Sequence, residues 1–166
     1  MNQRRRNAFF ECIARYLRFR LACVAVTAEG YIAIAMHDDN KTGSSNGARA
    51  STRRVAVVES LAGRVVNECD VKPASKRELS PWPYGIATTE KGHVVVSDAA
   101  NHCVYVFDVD FQLVTRFGRR GSRNRQFKSP RHLAITPNND ILVSDFGNHC
   151  VKAWIMLICL FVCFFS

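Results

Sequence analysis

The sequence predicts an all-β fold, a partial β-propeller of about three four-stranded blades. Three observations predict it. A long segment recurs at one fixed offset, each copy reads as short β-rich runs parted by turn residues, and no copy carries an apolar period of 3.6. PYGIATTEKGHVVVSDAANHCVYVF begins at Pro83, and PRHLAITPNNDILVSDFGNHCVKAW begins at Pro130, an offset of 130 − 83 = 47. The same offset joins Ser97 to Ser144, Asp98 to Asp145, and Asn101-His102-Cys103 to Asn148-His149-Cys150.

Each unit resolves into short strands. Gly85-Ile86-Ala87 opens one, and a turn holding Gly92 leads to HVVVSD. A second turn leads to CVYVFD, and FQLVTRF makes a fourth run after Asp108-Val109-Asp110. Val, Ile, Tyr and Phe favour strands, whereas Gly, Asn, Asp and Pro punctuate them. Four short strands per repeat of roughly 45 residues define a propeller blade.

A weaker copy lies upstream. CVAVTAEGYIAIAM (23–36) aligns with 85–98 at an offset of 62, and RRVAVVE (53–59) aligns with 102–108 at 49. The difference, 62 − 49 = 13, is the length of NKTGSSNGARAST, a Gly/Ser-rich stretch with loop composition. The expected organisation is a basic segment over 1–20, a partial propeller over 21–154 and an apolar tail over 155–166. The propeller units fall at about 21–66, 79–118 and 127–154.

These residues resemble a known family. The pattern P-x-G-[IL]-A, then G-x-[IV]-x-V-[SA]-D, then N-H-x-[VI] resembles the NHL repeat. The stretch FGRRGSRNRQFKSP resembles that family's inter-blade junction. The resemblance is to the C-terminal domain of TRIM-NHL proteins. It implies a propeller, usually six-bladed, that binds RNA or protein partners. It also implies that any ubiquitin-ligase chemistry belongs to a zinc-binding RING region, and no such Cys/His array is present in this sequence. The units depart from the pattern at Met36, where the repeat Asp is expected, at His132 opposite Gly85, and at Asn139 opposite Gly92. IMLICLFVCFF follows the third unit without the acidic turn that precedes the fourth strand of the second.

Charge points to a partner class. The chain has 166 residues and a net charge of +9, which favours polyanions: nucleic acid, anionic lipid or acidic protein. No acid occurs from Phe111 to Asn139, a stretch that holds Arg116, Arg119, Arg120, Arg123, Arg125, Lys128 and Arg131. In a propeller the linker between blades shares a face with the turn between the second and third strands. All of these cations but Arg116 should therefore lie beside Asn101 and His102. Arginine presents a planar fork that matches phosphate and stacks on bases. The expected binding residues are Arg119, Arg120, Arg123, Arg125, Lys128 and Arg131, with Trp82 and Tyr84 as the stacking aromatics. The family resemblance implies that Phe117 and Phe127 serve blade packing. A solvated basic loop and docking to an acidic peptide remain open beside this reading.

Asp98 and Asp145 are expected to accept hydrogen bonds from turn N–H groups, and Asn101 and Asn148 to take the left-handed conformation of those turns. Asp and His also suit metal or catalytic work, but a catalytic site needs no copy in every blade. The expectation is no catalytic residue, no metal and no cofactor. A metal-dependent lyase or hydrolase on a propeller scaffold is the third reading. The first is RNA or protein recognition, and the second is substrate recognition for a TRIM-type ubiquitin ligase. Sequence-specific DNA binding is not expected.

The cysteines are seven, with no C-x-x-C pair and no zinc spacing. They read as reduced, mostly buried thiols, and the expected location is the cytoplasm. The first twenty residues hold six arginines and one acid, which suits a solvated basic segment or a mitochondrial presequence. Ala153 to Phe165 is a run of 13 apolar residues. As a helix it would span roughly 20 Å, short of a ~30 Å hydrocarbon core, so membrane association through the tail is the minor reading. Three units leave open blade faces. The expected consequence is a truncated propeller, or self-association.

Overall fold

The computed structural model describes residues 19–38, 53–59, 64–72 and 77–155. Residues 1–18 of the basic segment, the 13-residue insertion and the tail beyond Ile155 lie outside the described residues.

Among the described residues three antiparallel sheets follow one another along the chain. Blade 1 is β1 (Phe19–Val26), β2 (Ile32–Asp38), β3 (Arg53–Val58) and β4 (Val65–Asp70), in that spatial order. Its last strand runs to Asp70, past the expected unit end at 66. Blade 2 is β5 (Pro83–Thr88), β6 (Val94–Asp98), β7 (Cys103–Phe107) and β8 (Leu113–Phe117), again in sequence order. Blade 3 is β9 (Pro130–Ile135), β10 (Ile141–Asp145) and β11 (Cys150–Trp154), three strands among the described residues. A 3-10 turn, Phe146–Asn148, joins its last two. Each of the three strands of blade 3 begins and ends 47 residues after its counterpart in blade 2. The whole is an all-β partial propeller.

The first turn of every blade is built alike. Gly30, Gly92 and Asn139 have φ of 82, 79 and 63°, a left-handed backbone that Gly and Asn tolerate. Their N–H groups donate to the carbonyls of Thr27, Thr89 and Thr136 at 2.9, 3.0 and 2.8 Å. The hydroxyls of those threonines accept from the N–H groups of Tyr31, His93 and Asp140. Asn139 therefore replaces Gly92 without loss of the turn. Blade 1, the weakest copy by sequence, keeps the same device.

Strands β6 and β7 of blade 2 are buried on both faces. Side chains alternate across a strand. Val94, Val96, Tyr105 and Phe107 pack on Ala33, Ala35, Val55 and Val57 of blade 1. Val95, Val104 and Val106 pack the other way, with Phe117, on Phe127, Ile141, Val143 and Trp154. A strand covered on two sides needs apolar residues at every position, which explains the uninterrupted VVV and CVYVF. The second seam is sealed by rings: Trp154 stacks on Phe117 at 4.2 Å, and Phe127 stands 6.2 Å from Phe117. Phe117 and Phe127 thus pack between blades, as the family resemblance implied.

Close approach of backbones explains Gly85. A Cβ there would come within 2.1 Å of the Arg131 carbonyl oxygen in blade 3. That carbonyl accepts from the Ser97 hydroxyl, whose oxygen in turn accepts from Gly85 N–H at 2.8 Å. His132 holds the equivalent place in blade 3, and it is exposed.

Candidate functional site

The repeated Asp and Asn hold the linkers between blades. In blade 2, Asp98 is fully buried, and its Oδ1 accepts from the N–H groups of Trp82, Ala100 and Asn101 at 2.9 to 3.1 Å. Trp82 belongs to the linker arriving from blade 1. Asn101 grips the same linker from both sides: its Oδ1 accepts from Leu79 N–H, and its Nδ2 donates to the Leu79 carbonyl and to Asp98 Oδ2. In blade 3, Asp145 accepts from Lys128 N–H at 2.6 Å and from Asn148 Nδ2 at 2.6 Å, and Asn148 also donates to the Gly121 carbonyl.

Two expectations for these residues need correction. Asp145 makes no side-chain capping bond to its own turn, because its oxygens are taken by the linker, Asn148 and Lys152. The left-handed residues are His102 and His149, with φ of 57 and 56°, not Asn101 and Asn148. The asparagines are needed as linker clamps, so the strained position moves one residue along. Met36, at the Asp position of blade 1, offers no such clamp.

These clamps shape a basic rim at the seam of blades 2 and 3. The linker of residues 118–129 folds on itself through Phe127 N–H to the Arg119 carbonyl (2.8 Å) and Gly121 N–H to the Phe127 carbonyl (3.0 Å). It lies between two turns. On the blade 2 side, Ser129 N–H donates to His102 Nδ1 at 3.0 Å. On the blade 3 side, Gly147 N–H donates to the Lys128 carbonyl at 2.7 Å. Lys152 pins the loop from beneath. Its ammonium bonds Asp145 Oδ2 at 2.8 Å and donates to the Gln126 carbonyl at 2.6 Å. By the 47-residue offset Lys152 matches Tyr105, whose hydroxyl meets Asp98 Oδ2. Its cation is thus committed to the structure.

The remaining cations differ in their partners. Arg116 is tied to Glu78 at 2.8 Å and donates to Cys103 Sγ, so it stands apart from the rim. Arg54 is paired with Glu68 and Asp70. Arg119, Arg120, Arg123, Arg125 and Lys128 are all exposed on the linker. Among the described residues Arg119, Arg120, Arg123 and Lys128 have no carboxylate partner. Arg131 is held differently, with its guanidinium 3.4 Å from the centre of the Phe146 ring and 5.0 Å from that of Tyr84. Contact with the two rings restrains the guanidinium without neutralising it. Phe146 is 50% exposed and Trp82 42% exposed. Tyr84 is half-buried and meets His132 edge-on at 5.5 Å.

Sequence reasoning missed Phe146 and Lys152. Phe146 replaces Ala99 at the 47-residue offset, and that substitution beside an Arg-rich linker was the available signal. Lys152 replaces Tyr105, on the face turned to the repeat Asp.

The titrating groups bear on structure. Burial lowers His102 below the ordinary histidine range, and the Arg120 cation adds to this, against Asp98 and Asp145. A neutral imidazole is the form that accepts from Ser129. Burial pushes Cys69 up to about 12, with Asp70 adding, and Cys103 up to about 11, with Asp98 adding. Cys150 is exposed, against the expectation of mostly buried thiols, whereas its counterpart Cys103 lies under Arg116. Among the described residues no group of three His, Cys, Asp or Glu side chains could hold a metal ion. No helix there is long and apolar enough to cross a membrane.

An arc of antiparallel blades with a clamped linker at each seam defines a repeat domain of propeller type. Residues 81–107 and 127–154, in its second and third units, match the NHL repeat model. No curated protein matches the chain in sequence. Solved structures match the fold. A protein of unknown function from Bacteroides caccae aligns with a TM-score of 0.61 at 16% identity, over 88% of this chain and 46% of that one. The major allergen Mala s 1 of Malassezia sympodialis aligns at 0.60 and 12% identity, over 85% and 46%. A catalytically inactive virginiamycin B lyase from Staphylococcus aureus, with quinupristin, aligns at 0.55 and 12% identity, over 84% and 39%. The chain spans less than half the length of each, and at these identities the likeness is one of fold.

Proposed function

We propose that this domain is a non-catalytic recognition module that binds RNA through the basic rim between blades 2 and 3. One observation carries the reading: on a linker pinned at several points, four exposed cations lack carboxylate partners among the described residues, while Arg54, Arg116 and Lys152 elsewhere in the fold are paired. Flexible cations on a fixed loop suit phosphate, and binding driven by them is salt-dependent. Phe146, Trp82 and Tyr84 offer aromatic surface beside the charge, which suits unpaired bases. The reading includes no sequence-specific DNA binding. Four free thiols at Cys23, Cys69, Cys103 and Cys150 support a reducing, cytoplasmic setting.

The test is RNA retention on filters across a salt series. Replacing Arg119 and Arg123 together by Ala should weaken retention for every sequence and lower the salt slope by about one to two. Unchanged retention and slope would remove the reading.

A protein partner is the second reading, in the manner of the substrate-recognition domain of a TRIM-NHL ubiquitin ligase. The NHL match and the exposed Leu113 and Val114 on β8 favour it. Capture of a protein that survives RNase treatment and is lost on charging Leu113 would move the assignment there.

A further inference from the structure

The basic rim carries a serine whose modification would lower the rim's charge. Ser122 follows Arg119-Arg120-Gly121, and it is the one Ser or Thr in the sequence with arginines both two and three residues before it. Protein kinases select substrates by charge pattern, and a pair of upstream arginines suits the acidic substrate groove of an arginine-directed serine kinase. The surroundings are permissive. Ser122 is exposed, within a stretch of bends that belongs to no helix or strand. Among the described residues nothing hydrogen-bonds its hydroxyl. Ser97, by contrast, is buried with its hydroxyl on the Arg131 carbonyl, and Ser129 is half-buried on a stretch held to His102 through its backbone N–H.

We infer that Ser122 is a phosphorylation site for an arginine-directed kinase, and that its phosphate switches off polyanion binding at this rim. The reaction is ordinary phosphoryl transfer. Ser122 Oγ forms a bond to the γ-phosphorus of ATP, the bond from that phosphorus to the bridging oxygen breaks, ADP leaves, and the hydroxyl proton passes to the kinase's base. The product adds a charge of about −1.5 to −2 at neutral pH, with three acceptor oxygens. Arg119, Arg120 and Arg123 lie within three residues of it and have no competing carboxylate among the described residues. They would pair with the new phosphate, and each cation so engaged is withdrawn from an external one. Gly121, held through its N–H and its carbonyl, fixes where the exposed segment begins.

The effect on RNA rests on the RNA reading above, whereas the modification and its effect on other polyanions do not, and the experiment separates them. The purified full chain is incubated with the catalytic subunit of an arginine-directed serine kinase and labelled ATP, then mapped by mass spectrometry and eluted from immobilised heparin with a salt gradient. One phosphate on Ser122, abolished in Ser122→Ala and slowed about tenfold or more in Arg119→Ala/Arg120→Ala, is the expected result. Phosphorylated protein should leave heparin at lower salt, and kinase treatment should not move Ser122→Ala. Label confined to other residues, or heparin elution unchanged by phosphate on Ser122, would overturn the inference. Failure of the unmodified chain to retain RNA would strike the RNA reading alone, because the heparin shift does not depend on it.

Discussion

Blades 2 and 3 carry the same residues at a 47-residue offset and use them in different electrostatic settings. Asp98 and Asp145 are both fully buried, and each clamps an incoming linker by a backbone N–H. The second oxygen of Asp98 meets the hydroxyl of Tyr105, and that of Asp145 meets the ammonium of Lys152. The faces differ as well. Val104 is 0% exposed between blades 2 and 3, while its counterpart Val151 is 69% exposed. A repeat thus preserves the device that joins blades. The neighbour decides what the rest of the unit costs or contributes.

The largest test of this comparison is loss of each carboxylate. Asp145→Ala leaves the half-buried Lys152 cation with carbonyl partners alone and also frees the Lys128 N–H, and should cost about 3 kcal/mol in denaturant unfolding. Asp98→Ala leaves neutral donors unpaired and should cost about 1–3 kcal/mol. Adding Lys152→Met to Asp145→Ala should recover part of the loss. Equal costs for the two carboxylates would remove the electrostatic distinction.

Packing gives the next test. Val104→Ala should cost about 1–3 kcal/mol, and Val151→Ala should stay within about 0.5 kcal/mol, by the same measurement. Comparable losses would mean that the outer face of blade 3 is covered in solution. Gly85→Ala sharpens the point, since its methyl group would meet the Arg131 carbonyl. It should destabilise by about 1–3 kcal/mol, whereas His132→Ala at the exposed equivalent should change little.

The smallest expected effect is a pH dependence. His102 titrates below its unfolded value, so the unfolded chain binds the proton more readily. The stabilisation is present in full above about pH 6.5, the unfolded value, and is lost as pH falls through the lower folded one. Thermal unfolding should therefore shift downward on acidification. His102→Asn, which tolerates the left-handed backbone, should reduce that shift. An identical profile in the variant would remove His102 from the seam's pH response.

Much of the fold was legible beforehand. The fixed offset located β5, β6, β7 and their copies in blade 3, because a repeated hydrogen-bonding unit needs repeated side chains. The basic linker was legible too, as an acid-free stretch. The left-handed histidines were not, since the preference of Asn for that conformation is local, while its use as a clamp depends on a linker about twenty residues away. Nor did charge alone separate Lys152 and Arg116 from the exposed cations. That division depends on which carboxylates the fold brings near, Asp145 and Glu78.

The sequence by itself determined the blade plan: strand order, turn positions, alternation and the basic junction. Those properties rest on local backbone preference and on a period, both readable along one chain. Tertiary structure alone decided which cations remain unpaired, why Gly85 is glycine, that Phe146 stacks on Arg131, and that Cys103 is buried while Cys150 is not. Each of those depends on what a neighbouring blade places within a few ångströms, and no single repeat encodes its neighbour.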